Sequence, residues 1–104
     1  MSDKTATGLD PVLISVMANR LDGIVREMTN TLLRSARSAV ISSARDFSCC
    51  LVTGDDQLLA SAEGLPVHIF GCHIQTANMR KYHAGDIQQG DAYLDNDPYG
   101  GNTH

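Results

Sequence analysis

Tryptophan is absent from this chain of 104 residues, and two phenylalanines and three tyrosines are its only aromatics. Any core must therefore be aliphatic, and at this length modest, because a small domain leaves much apolar surface uncovered. Positive charge is scarce as well: eight Lys and Arg against twelve Asp and Glu leave a net charge of −4 and a pI near 5.3. The basic residues are scattered, with no stacking aromatics between them, which excludes the electrostatic footprint of a nucleic-acid binder or of a protein held on an anionic membrane. No run approaches the ~20 apolar residues needed to span a bilayer. The polar start, Met1-Ser-Asp-Lys-Thr-Ala-Thr-Gly8, lacks the apolar core of a secretory signal, so a cytoplasmic protein is expected. The three cysteines, Cys49, Cys50 and Cys72, are odd in number and lack zinc-finger spacing. They are expected to be reduced thiols that pack as small hydrophobes, with the neighbours Cys49 and Cys50 on opposite faces of a strand. Neither a Gly-x-x-x-x-Gly-Lys-Ser/Thr phosphate loop nor a Gly-x-Ser-x-Gly elbow occurs, so nucleotide binding and triad hydrolysis have no support in these residues.

What is present is well punctuated. Residues 1 to 8 have the composition of a flexible tail, and Asp10-Pro11 supplies an N-cap followed by proline at the first helical position. Ile14, Met17, Leu21, Ile24, Met28 and Leu32 then recur at spacings of three and four, which predicts a long amphipathic helix from Pro11 to about Arg34. Gly23 lies inside it and predicts a close backbone contact there. The helical period fades from Ser35 to Arg45. Phe47 to Thr53 predicts a buried strand, Gly54-Asp55-Asp56 a turn, and Leu58 to Ala62 the returning strand of a β-hairpin with a four- or five-residue connection. Val67 to Tyr82 carries the pattern of a second helix, Gly85 and Gly90 bracket a loop, and Asp91 to Asp95 predicts a third strand. The order α-β-β-α-β implies an α+β layer in which helices cover one face of a mixed or antiparallel sheet.

The chemistry gathers at two places: Arg45-Asp46 at the entrance to the first strand, and the terminal loop Asp95-Asn-Asp97-Pro-Tyr-Gly100-Gly101-Asn-Thr-His104. Carboxylates with one or two imidazoles suit a divalent ion such as Mn, Zn or Fe(II). Asp95 and Asp97 equally suit a plain turn, so ligation and turn chemistry both stay open. His68 and His73 flank the start of the second helix as ligands, as acid or base groups, or as polar groups satisfied at a helix end. His83 falls in that helix's last turn and complements its negative end. Glu63 is a carboxylate able to orient a ligand histidine, or else a solvated loop residue. A Gly-rich acidic loop needs partners for its backbone, so the chain is expected to be the front piece of something larger, or a truncated product.

Asp10-Pro11, Asn19-Arg20-Leu21, Leu32-Leu33-Arg34, Arg45-Asp46-Phe47-Ser48-Cys49, Pro66-Val67-His68 and Asn96-Asp97-Pro98-Tyr99-x-Gly-x-Thr103-His104 occur in one order. In that order the chain resembles the N-terminal part of the hydantoinase B family, which includes N-methylhydantoinase B subunits, the C-terminal half of 5-oxoprolinases, and large subunits of acetone and acetophenone carboxylases. The resemblance implies that residues 9–104 are the N-terminal portion of a hydantoinase B-like domain that would continue past Thr-His. It implies a metal site formed by Asp46 and His104 with a later aspartate and histidine. Glu63, His68 and Asp97 would then stand behind the ligands or against substrate, and no catalytic residue is assigned. It further implies a hetero-oligomer in which a hydantoinase A-type subunit binds ATP, acting on a small cyclic amide, or on a ketone in the carboxylase branch. Asn102 before Thr-His is closer to the carboxylase relatives, which leaves the substrate open between the two.

Overall fold

The computed structural model describes residues 8–62 and 66–102. Its first element, α1, runs from Pro11–Ser35, and Asp10 caps it by accepting a hydrogen bond from the Val12 N–H at 3.0 Å. Proline opens the helix where its missing N–H has no partner to lose, and Arg34 lies in the last turn, where a cation complements the helix dipole. A four-residue helix, α2 (Ala39–Ser42), follows in the stretch where the helical period fades, and the Ser38 hydroxyl caps it through Val40 N. Two strands, β1 (Cys50–Val52) and β2 (Leu58–Ser61), pair antiparallel. The last long helix, α3, spans Pro66–Tyr82, and a single 3-10 turn covers Pro98–Gly100. No helix among the described residues is long and apolar enough to cross a membrane.

The hairpin forms as predicted, with residues 53–57 as its five-residue connection, but the strands are shorter than the apolar run suggests. Cys50 pairs with Ser61, Leu51 with Ala60 and Val52 with Leu58, so the register slips by one residue at Leu59. The slip is a β-bulge, which bends the ribbon and ends its regular pairing early. Thr53 closes the connection: its N–H donates to Gln57 O at 2.8 Å and its hydroxyl accepts from Gln57 N at 3.0 Å. Asp56 adopts φ 65 there. Arg80, near the end of α3, ties this turn down by donating to Gly54 O at 3.0 Å and pairing with the Asp56 carboxylate.

The core is small and lies between α1 and the hairpin. Val25 is fully buried against Ala60 and Ala62, and Leu21, Cys49 and Leu51 pack around them. Cys50, whose side chain alternates to the other face of β1, instead lies against Cys72 of α3. The two helices therefore lie on opposite faces of the ribbon, which corrects the expectation that they share one face. The physical reason is visible in β1, whose three residues are all half-buried rather than alternating between core and solvent.

Two other expectations change. Asp91 to Asp95 forms no strand, because no ladder partner reaches it among the described residues; Asp91 instead accepts from Gln88 N at 2.8 Å and from the Tyr93 hydroxyl at 3.2 Å. Gly23 has no close contact either: a Cβ built there would meet nothing within 4 Å. The expected tail lies outside the described residues except for Gly8.

Candidate functional site

Asp46 is positioned by the turn that leaves α2. The carbonyl of Ala39 accepts from both Ser43 N and Ala44 N, each at 3.0 Å, and Val40 O accepts from Asp46 N at 3.0 Å. Between them Arg45 takes φ 55, a left-handed conformation that costs a residue with a Cβ on the order of 1–3 kcal/mol. That turn redirects the chain so that Asp46 meets the first turn of α3. There its Oδ1 lies 3.1 Å from Nε2 of His68, and both side chains are half-buried. An ionised carboxylate only accepts hydrogen bonds, so in this contact Nε2 is the donor. This pair joins two residues that the sequence marked separately, one for its carboxylate and one for its place at a helix start.

The terminal loop is built by turn chemistry. Asp97 caps the 3-10 turn by accepting from Tyr99 N at 3.0 Å, while Asp95 accepts from Asp97 N at 3.1 Å and from the Asn102 amide at 2.8 Å. Asn102 is thus accounted for by the loop's own hydrogen bonding, which weakens it as a pointer to either branch of chemistry. Gly101 has φ 98, and its carbonyl accepts from Gln75 Nε2 at 3.0 Å. A Cβ at Gly71 would approach Gly101 O to 3.3 Å, and one at Gly100 would stand 3.0 Å from Asn78 Nδ2. Gly71, Gln75 and Asn78 thus form the seat for the loop. Sequence reasoning missed that seat, although a glycine inside a helical pattern was a signal that another backbone approaches.

One element therefore organises both clusters. His68 on α3 receives Asp46, and Gly71, one turn later, receives the loop. The expected third strand has no part in it, since residues 91–95 form none. Among the described residues no group of three His, Cys, Asp or Glu side chains converges on a point suited to a metal ion. Glu63 and His104 lie outside the described residues. His73 is exposed on α3, with its carbonyl accepting from Thr76 Oγ1 at 3.2 Å. His83 follows the last turn of α3, its ring tilted against Tyr93 with centroids 4.4 Å apart.

The α+β framework thus carries a carboxylate–imidazole pair and a Gly-rich acidic loop on one helix. The family described as hydantoinase B/oxoprolinase matches residues 10–104, and the chain belongs to that family. It is 33% identical over 100 residues to the 5-oxoprolinase PfmaA of Pestalotiopsis fici, a match covering 96% of this chain and 8% of that protein. It is 35% identical over 96 residues to 5-oxoprolinase 1 of Arabidopsis thaliana, covering 91% of this chain and 8% of that one. The β subunit of the Pseudomonas jessenii caprolactamase is 28% identical over 90 residues, covering 86% of this chain and 16% of the subunit. The chain thus spans less than a tenth of the length of these 5-oxoprolinases. No solved structure matches it.

Proposed function

We propose that this chain is part of the B-type subunit of an ATP-dependent cyclic-amide hydrolase. The observation that carries the reading is the family match over residues 10–104, in which Asp46 and His68 are held together at 3.1 Å. The substrates in the relatives' names, 5-oxoproline and caprolactam, are both cyclic amides, and one relative is named as a subunit. The sequence has no phosphate loop of its own, which suits a division of labour in which a hydantoinase A-type partner in a hetero-oligomer binds the nucleotide.

The donor chemistry of the site suits a divalent metal: a half-buried carboxylate beside an imidazole offers oxygen and nitrogen to Mn, Zn or Fe. Asp46 and His104 would hold such an ion together with ligands that this sequence does not contain. When bound, it would polarise the amide carbonyl. His68 acts on Asp46, since a proton on Nε2 would fix the carboxylate oxygen it meets and so orient the group. The loop is seated on α3 as far as Gly101, whose carbonyl accepts from Gln75 Nε2.

The test is ring opening of 5-oxoproline and of caprolactam by the whole protein with its A-type partner, followed by amino-acid product and ADP release. His104→Ala is expected to abolish turnover and metal retention, and Asp46→Asn to weaken both. Full activity in His104→Ala, or turnover without ATP, would overturn the reading. The 104 residues alone are expected to show no ATP-dependent turnover and no tight binding of Mn or Zn.

A further inference from the structure

The terminal loop is closed by its own hydrogen bonds, from Tyr99 N to Asp97, from Asp97 N to Asp95 and from the Asn102 amide to Asp95, so its shape is set internally. Its placement is not. Beyond the contact of Tyr93 with His83 the approach forms no helix or strand, and Leu94 is fully exposed, so the chain leading in does little to orient the loop. Among the described residues the one side-chain hydrogen bond that joins the loop to α3 runs from Gln75 Nε2 to Gly101 O, 3.0 Å long and partly buried. Around it the fit is steric: Gly100 is buried against Asn78, and a Cβ at Gly71 would stand 3.3 Å from the same Gly101 carbonyl. His68, Gly71, Gln75 and Asn78 recur at spacings of three and four, so they share one face of α3. Gly71 lies three residues beyond His68, about 4.5 Å along the axis. The Gly101 carbonyl, resting over Gly71, is therefore pinned roughly one turn from the residue that holds Asp46.

We propose that Gln75 is a positioning residue: through the Gly101 carbonyl it sets where the acidic loop stands relative to the Asp46–His68 pair, with Gly71 as the notch that receives it. The proposal rests on the cyclic-amide reading for its kinetic consequence only. A neutral amide suits the task, because it donates to a backbone carbonyl without competing for the Asp95 and Asp97 carboxylates that close the loop. A cation at the same place would draw those carboxylates toward itself and open the turn. A preformed loop held by a single polar contact is displaced as a unit when that contact is lost. Groups misplaced by about 1 Å react as much as a hundredfold more slowly, even where the altered residue touches no substrate.

The test compares Gln75→Ala and Gln75→Glu in the whole protein with its A-type partner, by ring-opening kinetics and by hydrogen exchange across Tyr99 to Asn102. Gln75→Glu is the sharper variant, since it keeps the shape and the helix propensity and replaces the donor by an oxygen that repels the Gly101 carbonyl. In both variants kcat is expected to fall at least about tenfold while KM moves less than about threefold, the signature of a group misplaced for the reaction step rather than for binding. Exchange across the loop should quicken about tenfold in both, because Gly100 is buried only while the loop is seated. Gly71→Ala should lower kcat in the same sense but less, since the carbonyl needs to give by only a few tenths of an ångström. Lys81→Ala, exposed on the last turn of α3, is the control and should leave kcat unchanged. Unaltered kcat in both Gln75 variants, or a loss no larger than the loss of folded protein by circular dichroism, would overturn the positioning role. A raised KM at constant kcat would overturn it too, by placing Gln75 against substrate. Unchanged exchange in both variants would overturn the seat itself. Quickened exchange in a protein whose wild type opens no cyclic amide would uphold the seat and overturn only the hydrolase reading.

Discussion

Two glycines of opposite meaning show what single residues do in this chain. Gly101 takes φ 98, and a Cβ there would lie 2.9 Å from Ile74 Cγ2 and 3.2 Å from Gln75 N, so neither backbone nor space admits a side chain. Gly101→Ala is expected to lift the loop from α3 and break the Gln75 contact, destabilising the chain by about 1–3 kcal/mol in thermal or denaturant unfolding. Gly23 is helical, and an added Cβ would meet nothing within 4 Å, so Gly23→Ala is expected to stabilise the chain by about 0.5–1 kcal/mol in the same measurement. Only the first of these was legible in advance, from the run Pro-Tyr-Gly-Gly that calls for a tight turn; the emptiness around Gly23 depends on what faces it, which helix periodicity does not encode. Cys50 is a third case. Burial first, then the hydrogen bond and charge of Cys72 and the charge of Cys49, push its thiol up to about 11 from 9.0. A thiol whose pKa is raised on folding adds no pH dependence below about 9 and loses stability as the pH climbs from there toward 11. Alkylation at pH 8 should therefore modify Cys50 more slowly than an unstructured cysteine peptide, and equal rates would show that the thiol is not held as described.

At the scale of elements, the helices were readable because their signals are local. Asp10-Pro11 caps and opens α1, and Pro66 opens α3. The spacing of apolar residues then carries each helix forward. The hairpin turn was readable for the same reason, but its β-bulge at Leu59 was not, since register depends on what each strand faces. The third strand failed on a non-local condition: an extended, alternating segment becomes a strand only if an edge is free to pair with it. Asp46–His68 was legible as two candidate residues and illegible as a pair, because 22 positions separate them and only the fold brings them together. Arg80 supplies a comparable tie between α3 and the hairpin turn through Gly54 and Asp56. Arg80→Ala is expected to leave overall stability nearly unchanged, within about 1 kcal/mol for a partly exposed ion pair, yet to speed hydrogen exchange at Asp56 and Gln57. Unchanged exchange at both amides would mean that Thr53 alone holds the turn.

Taken whole, the molecule is apolar where nothing yet touches it. Val25 is the one large side chain fully buried among the described residues. The stripe that marks α1 as amphipathic stays open, with Ile14 46%, Met17 54%, Ile24 46%, Met28 37% and Leu32 37% exposed. Ile24, Met28 and Leu32 form with Cys49 the wall of a shallow groove beside the hairpin. The periodicity that predicted a buried face was therefore correct about the helix and silent about its cover. At about 25 cal/mol per Å² of apolar surface removed from water, so small a core contributes little against the chain entropy of a hundred residues. Exposed apolar surface of this extent favours association. The 104-residue chain is accordingly expected to self-associate with rising concentration in sedimentation velocity and to lack a sharp thermal transition. Leu32→Glu with Met28→Lys, on the exposed stripe, should shift it toward monomer while leaving its helical circular dichroism in place. A monodisperse wild-type monomer that unfolds cooperatively would show instead that Val25, Ala60 and Ala62 suffice to hold the fold, and that the α1 stripe needs no cover.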